Sequence, residues 1–183
     1  MRKWAILAIV AVFSLLLLPQ TASAGRVYFN AAAAEGVETG VSGTSCGTTV
    51  RSSSTGWDHT YVTRDCDKTS DEAFVWHFYW QSDMPGSGTV TVDLEHGSGS
   101  AGNAVIDVDI GCIVAGTDLT YGSADSNTVS VVGTFANEAF GTVGVPATAA
   151  TDAYCAVRVR RDADNGSDAL DADVFIRGGW IEY

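Results

Sequence analysis

Apolar and polar residues alternate with a period of two along most of the chain beyond residue 26, and that spacing predicts strands, not helices. Ala104, Ile106, Val108, Ile110, Cys112 and Val114 alternate with Val105, Asp107, Asp109, Gly111 and Ile113. This predicts one long strand with an apolar face toward a core and an aspartate face toward water. Val90, Val92 and Leu94 alternate with Thr91, Asp93 and Glu95, and Cys155, Val157 and Val159 with Ala156, Arg158 and Arg160. Phe74, Trp76, Phe78 and Trp80 share a face and should form the aromatic core, with Val75, His77 and Tyr79 on the reverse. Further strands are expected near Val27 to Asn30, Thr48 to Arg51, His59 to Thr63, Thr128 to Phe135, Phe140 to Val145 and Asp173 to Tyr183, separated by Gly, Ser, Asn and Asp clusters. No segment beyond the leader holds an apolar stripe at helical spacing over three turns. About eight to ten short strands of this kind fit an all-β fold, a two-sheet antiparallel sandwich.

The first residues break the pattern. Arg2 and Lys3 precede an apolar run from Trp4 to Leu18, Pro19 and the small residues Ala22-Ser23-Ala24. That run is about 15 residues, shorter than the ~20 of a spanning helix, and it ends as cleaved leaders do. The expectation is a signal peptide over 1–24 and a single β-sandwich domain over 25–183, secreted or periplasmic, with no transmembrane segment after cleavage. Cys46, Cys66, Cys112 and Cys155 all lie downstream, where export would let them oxidise. Four cysteines allow three pairings. Cys46 and Cys66 flank a polar stretch, and Cys112 and Cys155 each sit on the buried face of a strand pattern, which favours Cys46–Cys66 with Cys112–Cys155. No C-x-x-C or adjacent histidine supports zinc.

Charge narrows the partners. The leader holds two of the ten basic residues and none of the 22 acidic ones, so the remaining 159 of 183 residues carry a net charge of −14. Such a surface excludes nucleic acid, whose phosphates need clustered Lys and Arg. No cofactor is required by any motif, while calcium is the cation an Asp-rich segment suits. Asp162, Asp164, Asp168 and Asp171 are the candidate ligands. The match to a calcium loop is imperfect, because Gly166 comes one residue early and no closing Glu follows; Asn165-Gly166 alternatively turns a polar hairpin. Gly43-Thr44-Ser45-Cys46-Gly47 fits the string of a nucleophile elbow, and Gly97-Ser98-Gly99-Ser100-Ala101-Gly102 that of a dinucleotide loop. Neither opens a helix, which both chemistries require; the second reads as a hairpin connection. His59, His77 and His96 are too scattered for a local metal site and read as structural.

The text from Val157 to Tyr183, with its Arg-Asp strand end and the Ser167 to Asp171 core, resembles the closing hairpin of a jelly-roll module of tailed-phage virion proteins and related uncharacterised metagenomic proteins. Phe78-Tyr79-Trp80, the Gly88 to Glu95 strand and the Asn103 to Gly116 strand followed by Asp118-Leu119 are similar too, so the resemblance spans roughly residues 71–183. It implies a jelly-roll-like sandwich and carries over no catalytic or binding residue. A leader and four cysteines depart from a virion protein, which assembles in the cytoplasm.

The function expected is non-enzymatic: a surface, adhesive or assembly module, with a glycan, a cell surface or a second copy of the chain as partner. Trp57 and Tyr61 are the candidate ligand-binding aromatics; Tyr79 could supply a third such face, but core burial is the stronger expectation for it. A small glycan-active hydrolase or lyase is the alternative, since the chain has many carboxylates that could pair across a cleft. An outer-membrane barrel is a further one, from the loose terminal pattern of Gly178, Ile181 and Tyr183.

Overall fold

The computed structural model describes residues 25–36, 44–53, 59–113, 119–121, 125–131 and 136–183. In chain order the strands are β1 (Arg26–Asn30), β2 (Glu35–Gly36), β3 (Thr44–Ser45), β4 (Gly47–Ser53), β5 (His59–Cys66), β6 (Glu72–Tyr79), β7 (Thr89–Ser98), β8 (Gly102–Cys112), β9 (Thr120–Tyr121), β10 (Asp125–Val131), β11 (Ala136–Gly144), β12 (Tyr154–Arg161) and β13 (Val174–Glu182). One sheet runs β11-β7-β13-β5-β4, with β1 beside β5 on the same edge of β13; the other runs β10-β8-β12-β6-β2, with β9 on β8 and β3 on β6. All pairings are antiparallel except β3 with β6.

The chain steps from one sheet to the other between β1 and β2, β3 and β4, β5 and β6, β6 and β7, β7 and β8, β10 and β11, β11 and β12, and β12 and β13. These crossings give a jelly-roll sandwich, and they correct two sequence expectations. The Gly-Ser segment at 97–102 and the Asp-rich segment at 162–173 are arches between sheets, not hairpins within one. The period-two pattern reports which face of a strand is apolar, and two strands facing the same core from opposite sheets look the same as two that pair. A barrel would close one sheet on itself; here two sheets cover a core from opposite sides.

That core holds the predicted inward residues. Phe74, Trp76, Trp80, Ile106, Val108, Ile110, Val157 and Val159 are buried, and Phe29 stacks on Trp76 with centroids 5.3 Å apart. The Trp76 indole Nε1–H donates to the Asn30 carbonyl at 2.8 Å, which satisfies its one polar atom inside the core. Two disulfides, Cys46–Cys66 and Cys112–Cys155, close the sandwich, the second joining the directly opposed strands β8 and β12.

On β13 the inward set changes parity. Val174 and Ile176 face the core, a bulge at Arg177 follows, and Ile181 is the next buried side chain while Trp180 and Glu182 turn outward. Gly179 makes the crowding possible, since a Cβ there would lie 2.4 Å from the Asp93 carbonyl oxygen.

Candidate functional site

β12 lies between β6 and β8, so the outer face of its sheet is an ordered array of side chains. Tyr154 stands opposite Tyr79; Ala156 lies between His77 and Gly111; Arg158 lies between Val75 and Asp109; Arg160 lies between Ala73 and Asp107. Tyr79 is 64% exposed and Tyr154 37%, with ring centroids 5.5 Å apart and planes at 65°. The His77 ring lies parallel to Tyr154 at 5.1 Å, and its Nε2 is 3.5 Å from a Glu35 carboxylate oxygen. Tyr79 is therefore not in the core. The signal was in the alternation itself, because Tyr79 has the parity opposite to Phe78, and Tyr154 the parity opposite to Cys155.

Next to these rings the small residues Ala156 and Gly111 form a low floor, and beyond it stands a ladder of charges. Arg158 Nε donates to Asp109 Oδ1 at 3.0 Å and Arg160 Nε to Asp107 Oδ2 at 3.0 Å, each with a second guanidinium contact to the same carboxylate. The Arg158 guanidinium also lies 4.3 Å from the centre of the Tyr121 ring. Asp107 and Asp109 were expected to meet water and are instead buried, because directly opposed arginines lie along their carboxylates. Burial pushes the Asp109 carboxyl above the usual range, against the pull of Arg158. The four charged side chains enclose a small recess of about 120 Å³. At the other end of the array, Tyr154 borders a shallow depression of about 410 Å³ that Ile113, Thr148, Thr151 and Asp152 also line.

The sequence-predicted site residues lie elsewhere. Trp57 is outside the described residues. Tyr61 is on the other sheet, where the Arg177 guanidinium sits 5.5 Å from its ring centre and both border a depression of about 350 Å³. The four candidate calcium ligands separate three ways. Asp162 and Asp164 meet Asp71, one oxygen from each lying within 4.8 Å of the others, and these three could hold a cation. Asp71 comes from the segment before β6, and no local motif announces it. Asp71 and then Asp162 raise the Asp164 carboxyl above its ordinary value by like-charge repulsion and hydrogen bonding. Asp171 pairs with Lys68 at the surface.

Asp168 does something different. Arg161 is fully buried, and all five of its N–H groups have acceptors: Nε and Nη2 reach the two Asp168 oxygens at 3.0 and 2.9 Å, Nη2 also the Leu170 carbonyl, and Nη1 the Cys66 and Ala172 carbonyls. Asp168 accepts in addition from the Val105 and Leu170 amides. This clasp ties the β12–β13 arch to β5 and β8 at one end of the core.

No protein-family model matches this sequence, and no curated protein does. Similar solved structures include the CBM36-1 domain of a multidomain xylanase from the hindgut metagenome of Trinervitermes trinervoides, at 15% identity over 86% of this chain and 96% of that one, with a TM-score of 0.45. A family 11 carbohydrate-binding module from Clostridium thermocellum, in complex with a β-1,3-1,4-mixed-linked tetrasaccharide, is 11% identical over 90% of this chain and 91% of its own, with a TM-score of 0.42. TmCBM61, in complex with β-1,4-galactotriose, is 12% identical over 73% and 80%, with a TM-score of 0.36. The jelly-roll part of the resemblance stands on the two-sheet order of this chain, and nothing here supports the phage part. At these scores the likenesses carry no argument about a ligand, and the fold rests on the strand registers of this chain: a disulfide-closed jelly-roll β-sandwich.

Proposed function

We propose that this chain is a non-enzymatic, exported glycan-binding module, freed of residues 1–24 by cleavage, and that the Tyr79–Tyr154 face of the second sheet is its binding surface. The observation that carries the reading is the placement of Tyr79. A large aromatic ring that is 64% exposed at the end of β6, beside a second tyrosine across the β6–β12 pairing, offers an apolar ring face next to the charged ladder of the same array. Pyranose rings have the complementary form: a C–H face that stacks on an aromatic ring and a rim of hydroxyls that needs donors and acceptors. The floor at Ala156 and Gly111 gives room for a ring, and the depression beside Tyr154 extends the surface along a chain of sugars.

Binding without cleavage suits the neighbouring carboxylates of β8. A glycosidase needs two carboxyl groups free to act as acid and as base or nucleophile across the bond. Asp107 and Asp109 are instead held by Arg160 and Arg158. Export suits the two disulfides, which persist in oxidising compartments.

Tyr79→Ala should leave the fold intact, since the side chain is mostly in water, and weaken binding to a soluble polysaccharide about tenfold or more in calorimetry or affinity electrophoresis. A wild-type protein that binds nothing on a glycan array, or a variant that binds as well as wild type, would remove the proposal.

A further inference from the structure

The first sheet carries an aromatic pair of its own on its outer face. Tyr28 of β1 stands opposite Trp180 of β13, with ring centroids 6.1 Å apart and planes at 43°, and Tyr28 is 67% exposed. Trp180 reaches that face because the bulge at Arg177 has reversed the parity of β13. Polar groups frame the pair. The Arg26 guanidinium lies 5.4 Å from the Trp180 ring centre and its Nε donates to Glu182 at 2.8 Å, while Asp93 stands opposite Trp180 on β7. Two other aromatics of this face carry guanidiniums in the same way as Trp180: Arg51 lies 3.7 Å over Phe175, and Arg177 lies 5.5 Å over Tyr61.

We propose that the Tyr28–Trp180 surface is a second glycan-binding site, so that one chain bridges two polysaccharide strands. The proposal rests on the Tyr79–Tyr154 reading for the first of the two sites. Size and charge select the occupant. Two rings bordered by an ion pair are far smaller than the ~800 Å² per partner of a stable protein interface. A domain of net charge −14 is repelled by an anionic membrane or an acidic polymer. A neutral sugar ring stacked on Tyr28, with hydroxyls toward Arg26 and Glu182, fits both the area and the paired charges.

Geometry then sets the consequence. The two surfaces lie on opposite sides of a sandwich whose sheets are ~10 Å apart, so they point away from one another. One extended glycan strand cannot lie on both without wrapping round the domain, and occupancy of both therefore joins separate strands rather than tightening the grip on one.

The test uses neutral hexasaccharides for stoichiometry and their parent polysaccharides for bridging, with the chain from residue 25 onward as exported. Wild type should bind two equivalents and precipitate or gel the polymer. Tyr28→Ala and Tyr79→Ala should each bind one equivalent and lose precipitation, and the double variant should bind none. A single wild-type equivalent that is lost in Tyr79→Ala and kept in Tyr28→Ala would overturn the second site while leaving the first. A single equivalent lost only in Tyr28→Ala would overturn the bridge and the Tyr79 reading together, and no binding at all would remove both sites. A wild-type dimer in light scattering that Tyr28→Ala splits, with no sugar bound at Tyr28, would make this face a chain–chain contact and overturn the proposal.

Discussion

Replacing Asp168 by Asn should be among the most damaging conservative changes available to this protein. The side chain keeps its shape, but the buried Arg161 guanidinium loses its counter-charge, and an amide N–H group replaces one of the two oxygens that accept from Nε and Nη2. Removing one partner of a buried ion pair costs roughly 3 to 5 kcal/mol, because the remaining charge stays out of water uncompensated. The three carbonyls that still accept from Arg161 soften the loss, so about 3 kcal/mol is expected. In a domain of this size each kcal/mol moves Tm by roughly 2 to 4 °C, which places the shift at about 6 to 12 °C. Urea unfolding of the oxidised protein reads the effect as a lower midpoint with an unchanged slope. Pairing Asp168→Asn with Arg161→Met removes the orphaned charge, so the double variant should be more stable than the sum of the single losses by at least about 1 kcal/mol. A loss under about 1 kcal/mol for Asp168→Asn, or strict additivity in the cycle, would refute the view that this clasp is a charge-compensated buried pair.

Opening Cys112–Cys155 by double serine substitution releases a loop of sequence separation 43 and should cost about 4 kcal/mol, against about 3 kcal/mol for Cys46–Cys66 with separation 20, read by calorimetry under non-reducing conditions. Equal losses, or a larger loss at Cys46–Cys66, would count against loop closure as the cause. Asp164 has its carboxyl raised in the folded state by Asp71 and Asp162, so its ionised form opposes folding: the stability linked to its proton is present below pH 3.8, the ordinary value, and is lost as pH rises through the higher folded value. Asp164→Asn should therefore raise Tm at pH 7 and bring no gain below pH 3.8; a variant less stable than wild type at pH 7 would contradict that sign.

The arrangement of faces is legible in the sequence. Phe74, Trp76, Phe78 and Trp80 point inward because a strand turns alternate side chains to the same side, and the same rule applied strictly sends Tyr79 out. Expecting Tyr79 in the core let its aromatic neighbours outweigh its parity. The aspartates of β8 show the opposite limit: parity placed Asp107 and Asp109 on the outer face, but their burial depends on Arg158 and Arg160, which sit some fifty residues away and meet them only through the β8–β12 register. Asp71 joined Asp162 and Asp164 for the same kind of reason.

By itself the sequence determined that the chain is a sandwich of short strands, which residues of most strands face its interior, and that its surface is acidic, since each of these follows from composition or from a local period of two. The tertiary structure alone decided which strands share a sheet, that the Asp-rich arch spends Asp168 on a buried arginine, and that a one-residue bulge turns Trp180 outward to meet Tyr28. Those outcomes depend on pairings between residues far apart in the chain, and a local hydrophobic pattern has the same form whichever distant strand it meets.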